Sequence, residues 1–140
     1  MQASFDHERL KAYQVAVRFC GWVTPLLEAI PARFAARDQL DRASTSIVLN
    51  LAEGNGKRSY PDRSRFFDIA RGSALECAAC LDVLVVRGLL NEALAVEGKK
   101  QLLEIVSMIA GLIAHFSGDG RVEEDPGVYG EMTDKEERLR

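Results

Sequence analysis

The segment Leu51-Ala52-Glu53-Gly54-Asn55-Gly56-Lys57-Arg58-Ser59-Tyr60-Pro61-Asp62 is where one helical pattern stops and the next begins. Gly54-Asn55-Gly56 is a helix C-terminal signal, because glycine and asparagine tolerate the left-handed backbone that closes a last turn. Ser59 can cap the next helix, and Pro61 fits its first turn, where no intrahelical N–H is needed. Upstream, Leu40, Ala43, Ile47 and Leu51 recur every three or four residues and predict a helix from about Arg37 to Glu53. Downstream, Phe66, Ile69 or Ala70, Ser73, Cys77, Leu81 and Leu84 carry the same period up to Gly88. So short a connection makes the two helices antiparallel neighbours.

The same period extends in both directions. A first helix is predicted from about Asp6, its N-cap, to Ala29, closed by Pro31 and disturbed near its end by Pro25. It carries two apolar stripes: Leu10, Tyr13, Val17, Cys20, Thr24, Leu27 and Ala12, Ala16, Phe19, Val23, Leu26, Ile30. Asn91 can cap a fourth helix from Glu92 to about Phe116, with Leu102, Ile105, Ile109, Leu112 or Ile113, and Phe116 inward. No stretch alternates with period two. The fold expected is an all-α, up-down-up-down antiparallel four-helix bundle over residues 1–117, followed by a flexible acidic tail over 118–140.

The chain has 140 residues, 47% of them hydrophobic and 28% charged, enough for one packed domain. No apolar run approaches the ~18 residues of a membrane span, and the start lacks the basic and apolar parts of a secretory signal. Three cysteines argue against a disulfide framework. A cytoplasmic protein without membrane contact is the expectation. Eight acidic and four basic residues in 117–140 give that stretch a net charge of −4, and the remainder is at +1. A body this balanced binds polyanions only where its charge is locally clustered.

One such cluster lies around the quoted turn. Between Gly54 and Gly72 stand Lys57, Arg58, Arg63, Arg65 and Arg71 against Asp62 and Asp68, a net of +3. Arg9 and Lys11 of the first helix should reach the same end, and Tyr60 offers a ring on which a base can stack. The nucleic-acid-binding candidates are therefore Arg9, Lys11, Lys57, Arg58, Tyr60, Arg63 and Arg65. The bland alternative is a solvated helix end paired to Asp62 and Asp68.

A polar ribbon of Gln39, Arg42, Ser46, Asn50 and Glu53 runs along one face of the second helix. Reflection about a turn centred near Lys57 sets Asn50 opposite Arg65, Ser46 opposite Phe67 to Arg71, and Arg42 opposite Gly72 to Glu76. A structural polar core of Arg42, Ser46, Asn50, Glu53, Arg71 and Glu76 follows, with an Arg42–Glu76 bridge across the pair. Gly72, in mid-helix, costs about 1 kcal/mol relative to alanine unless a close approach compensates.

Nothing here reads as a reaction centre, a metal site or a cofactor site. Cys77 and Cys80 lie inside a helix, flanked by alanines, whereas a redox Cys-x-x-Cys opens one. His7, His115 and Glu53 fall near one end, but no Glu-x-x-His pair exists. Gly54-Asn55-Gly56-Lys57-Arg58-Ser59 lacks the strand and spacing of a phosphate-binding loop.

The run Asp38-Gln39-Leu40-Asp41-Arg42-Ala43-Ser44-Thr45-Ser46-Ile47-Val48-Leu49-Asn50-Leu51-Ala52-Glu53-Gly54 resembles the signature of a bacterial four-helix bundle family. Its members were first noticed as products of open reading frames within intervening sequences of 23S ribosomal RNA genes. Phe66-Phe67-Asp68-Ile69-Ala70-Arg71-Gly72-Ser73-Ala74-Leu75-Glu76 is similar to the family's second block, and Leu10-Lys11-Ala12-Tyr13 to its opening. The resemblance covers about residues 5–116. It implies a ring, a homopentamer, and it does not imply an enzyme. The accessory proteins of diversity-generating retroelements look like relatives, and they imply a scaffold that binds nucleic acid or a nucleic-acid enzyme. A purely structural protein-interaction ring is the alternative. The two stripes of the first helix, with a second line of Phe67, Ala74, Ala78 and Val85 on the third, are expected to leave apolar surface for copies of the chain to cover.

Overall fold

The computed structural model describes residues 5–117, so the predicted tail, 118–140, lies outside the described residues. Among these residues there are four long helices and no strand: α1 Lys11–Ala29, α2 Ala35–Asn55, α3 Tyr60–Val86 and α4 Glu92–Ser117. A short 3-10 turn, Asp6–Arg9, precedes α1.

The first helix therefore starts later than its periodicity predicts. Leu10 adopts an extended conformation (φ −74°, ψ 119°) that separates the 3-10 turn from α1 and lets its own side chain sink into the core. Asp6 is not a cap. Its carboxylate accepts from Arg9 at 2.6 Å and from the Asn55 amide at 2.9 Å, so it fastens the turn to the end of α2. α1 continues past Pro25 to its last turn, where the missing N–H removes only one bond.

The other ends follow the chemistry of their residues. The Ser59 hydroxyl accepts from the Asp62 N–H at 3.2 Å, with Pro61 in the first turn of α3. The Asn91 side chain accepts from the Ala93 N–H at 2.7 Å at the start of α4. α3 ends in a Schellman arrangement: Gly88 takes φ +73°, its N–H bonds the Val85 carbonyl at 2.9 Å, and the Leu89 N–H bonds the Leu84 carbonyl at 2.8 Å.

α2 differs. It runs through Gly54 and Asn55 and stops at Gly56. Gly54 is a packing glycine rather than a stop: a Cβ there would lie 2.9 Å from the Phe67 ring. Continuing α2 moves the fold-back point later. Ser46 meets Ser73, which centres the reflection between Ser59 and Tyr60, two residues beyond Lys57.

α3 is the hub, packed against α2 and α4, and α1 closes on α2 and α4. Phe19, Leu40, Ile47, Leu51, Phe67, Leu81, Leu84, Ile105 and Ile109 form the centre of the core. Gly98 lets α4 pass close to Trp22 of α1, since a Cβ there would lie 2.7 Å from the indole. The core consumes more apolar surface than the two-stripe argument allows. On α1 the buried line is Ala12, Val15, Ala16, Phe19, Val23, Leu27 and Ile30, and Val17 is the large aliphatic residue left exposed. On α3, Phe67 and Ala74 are fully buried, and Ala78 and Val85 pack against the core. The exposed aliphatics of α3 are instead Ile69, Leu75, Val83 and Val86.

Candidate nucleic-acid interface

One end of the molecule gathers the 3-10 turn, the α2–α3 connection and the last turn of α4. Asn55 is 6% exposed and ties the first two together through Asp6. Tyr60 sits edge-on against Phe116, ring centroids 4.7 Å apart, and Phe116 in turn meets Phe67 and His115. This aromatic plug seals the core.

Burial decides the role of Tyr60. At 7% exposure its ring faces Phe116, His115 and the Arg63 guanidinium, which leaves no open face for a base. The stacking role read from sequence is corrected: Tyr60 packs the end of the bundle. Arg63 is drawn into the same plug. Its Nε donates to the Lys57 carbonyl at 2.8 Å, and its guanidinium lies 5.1 Å from the centre of the Phe116 ring.

The remaining cations form the outer layer. Lys57 Nζ stands 4.7 Å over the ring of Phe66, and the Arg65 guanidinium stands 5.4 Å from the same ring. Phe66 is thus a half-buried platform for two cations. Its neighbour in sequence, Arg65, was the only hint of this, because the Lys57 approach depends on the loop path. Arg65 pairs with Asp62 at 3.6 Å, and Arg9 with Asp6 at 2.6 Å, both exposed. Lys11, Lys57 and Arg58 make no ion pair with any described residue. The charge cluster is real but partly offset: Lys11, Lys57 and Arg58, like Arg71 farther along α3, are without an ion pair among the described residues.

The polar face of α2 is smaller than its sequence ribbon. Ser46 and Ser73 share a hydrogen bond of 2.8 Å, and the Asn50 amide donates to the Ser46 hydroxyl at 3.0 Å and to its carbonyl at 2.9 Å. Ser73 is the cross-helix partner of Ser46, just past the Phe67 to Arg71 stretch expected for it, and among the described residues no ion pair joins Arg42 to Glu76. Arg42 bonds Asp38 one turn back at 3.0 Å, and its side chain is 78% exposed. The shifted register sets Arg42 opposite Cys77, next to Glu76, yet the carboxylate that Arg42 takes is Asp38 on its own helix, four residues back. Arg42, Glu53, Arg71 and Glu76 are all exposed, so the expected six-residue polar core contracts to Ser46 and Asn50 with Ser73. An open depression of about 350 Å³ runs along this face, lined by Asp41, Arg42, Thr45, Ser46, Leu49 and Asn50.

The thiols are unsuited to nucleophilic work. Burial pushes Cys77 well above the ordinary thiol range, and burial also raises Cys80 and Cys20, the latter's thiol donating to the Ser44 carbonyl at 3.3 Å. Among the described residues no group of three or more His, Cys, Asp or Glu side chains is placed to hold a metal ion. None of the described helices is long and apolar enough to cross a membrane.

A family model described as 23S rRNA-intervening sequence protein matches residues 8–111. No curated protein matches the chain. A crystal structure of a protein of unknown function from the S23 ribosomal protein family of Bacteroides thetaiotaomicron is similar, with a TM-score of 0.68 at 20% identity. The similarity covers 73% of this chain and 97% of that one. At that identity the likeness speaks for the fold.

Proposed function

The chain belongs to the 23S rRNA-intervening sequence protein family, and we propose that it works as a non-enzymatic scaffold. In this reading the up-down-up-down bundles assemble as a homopentameric ring in the cytoplasm. The ring binds nucleic acid, or an enzyme that handles it, through a basic end repeated on every subunit. The observation that carries the reading is Lys57, without an ion pair among the described residues, standing with Arg65 over the Phe66 ring, and followed in the chain by the exposed Arg58. A few cations per subunit bind weakly. Repeated around a ring they act multivalently, and avidity replaces individual affinity.

Assembly is supported by the exposed face of α3. Ile69, Leu75, Val83 and Val86 are exposed there, Val86 to 87%. Exposed aliphatics along one side of a helix are surface that a second chain can cover. Gly72 lies in the same helix with nothing within 4 Å of where its Cβ would be, so the chain's own packing does not explain it. These same aliphatics favour the second reading, a protein-interaction ring without nucleic acid.

Native mass measurement with and without a short single-stranded RNA separates the two. The scaffold reading expects a ring whose RNA adduct fades with salt and weakens on Arg58→Glu. A ring without adduct at low salt favours the second reading. A stable monomer at high micromolar concentration overturns both.

A further inference from the structure

We propose that residues 118–140 bind the cationic end of the bundle and compete there with polyanions. The competition rests on the nucleic-acid reading above, whereas the contact itself does not. Three observations lead to it: where α4 ends, which cations are uncompensated, and the charge of the chain that follows.

α4 delivers the chain to the cationic end. Phe116, its penultimate residue, packs on Tyr60 at 4.7 Å, and Tyr60 follows Lys57 and Arg58 by two or three positions. Six residues of extended chain span up to about 20 Å. That is ample for Glu123, Glu124 and Asp125 to return to the α2–α3 connection.

The charges match in sign and in what each lacks. Arg9 and Arg65 already have carboxylates of the body beside them. Lys11, Lys57 and Arg58 do not. Downstream, Asp119, Glu123, Glu124 and Asp125 are opposed by Arg121 alone before residue 131. At physiological ionic strength a charge is felt over about 8 Å, so free acidic peptide would hold such a site poorly. A segment tethered at its edge acts at a local concentration of about a millimolar, enough to compete with a weak polyanion contact. The contact is electrostatic and therefore fades with salt.

Zero-length carbodiimide coupling of the full chain, mapped by mass spectrometry, tests the contact directly. It joins an amine to a carboxylate only when the two are in contact. Lys99 and Asp82, 2.7 Å apart, supply the internal control. The expected products join Lys57 or Lys11 to Glu123, Glu124 or Asp125, and they diminish at about 0.5 M salt. Absence of those products beside a normal Lys99–Asp82 link overturns the proposal.

The competition is read on the full chain carrying Glu123→Gln, Glu124→Gln and Asp125→Asn together. That variant should bind a short single-stranded RNA about three to ten times more tightly at low salt. Unchanged affinity overturns the competition. Coupling products with no RNA binding by either form leave the contact standing and refute the nucleic-acid reading instead.

Discussion

The hydroxyls of Ser46 and Ser73 meet at 2.8 Å between α2 and α3, and that contact marks the register of the helix pair. Asn50 completes it from one turn along α2. Ser46→Ala should lower stability by about 1 kcal/mol, the usual net worth of such a bond. A double-mutant cycle with Ser73→Ala should show the two losses to be non-additive, because each removes the same contact. Urea unfolding of the four proteins measures this, and strictly additive losses would show that the pair is not coupled.

The charged flanks of that face should matter far less. Arg42 pairs with Asp38 in full view of solvent, and Glu76 is exposed without an ion pair among the described residues. Arg42→Gln and Glu76→Gln should each change stability by less than about 0.5 kcal/mol. A loss of several kcal/mol from Glu76→Gln would restore the cross-helix bridge to Arg42.

Three glycines give opposite signs for one substitution. Gly98→Ala drives a methyl to 2.7 Å from Trp22 and 2.8 Å from Leu81, and Gly54→Ala meets Phe67 at 2.9 Å. Each should cost about 1–3 kcal/mol through overpacking. Gly72→Ala has open space and should stabilise the monomer fold by about 0.5–1 kcal/mol. If α3 lies between copies at Gly72, the same change loosens the assembly. Thermal unfolding paired with sedimentation separates the two effects.

The thiols set an alkaline limit. Cys20, Cys77 and Cys80 are all raised, chiefly by burial. A raised folded-state value contributes stability that is intact below the unfolded thiol's ordinary range, about 8.5, and is lost as pH rises toward the folded value. Melting temperature should therefore fall between pH about 8.5 and 10, and Cys77→Ala should flatten that fall. A pH-independent melting temperature over the range would contradict it. At pH 7 to 8 the thiols should be alkylated slowly in the folded protein.

Helix placement was legible because the signals are local. Ser59, Pro61, Gly88 and Asn91 perform the end functions their chemistry predicts. Gly54-Asn55 was misleading, since one glycine type serves two purposes. A stop and a close approach look alike until Phe67 is seen beside Gly54. The fold-back point accordingly lies between Ser59 and Tyr60, which sets Ser46 opposite Ser73 instead of the Phe67 to Arg71 stretch. The cationic end was legible as a charge count but not as a geometry. Sequence alone did not reveal that Tyr60 would turn inward or that Phe66 would carry Lys57 and Arg65.

α1 has a peculiar attachment. It packs on α2 and α4 but hardly on α3, and a polar tie secures the chain at each of its ends. Asp6, just before it, holds Asn55, and the Leu27 carbonyl in its last turn accepts from Arg37 Nε at 2.7 Å. The surface it lies on belongs to helices made after it. During synthesis from the N-terminus, α1 is thus made before both of the helices that seat it. Trp22, which lies against Gly98 of α4, gains that partner only when α4 has been made.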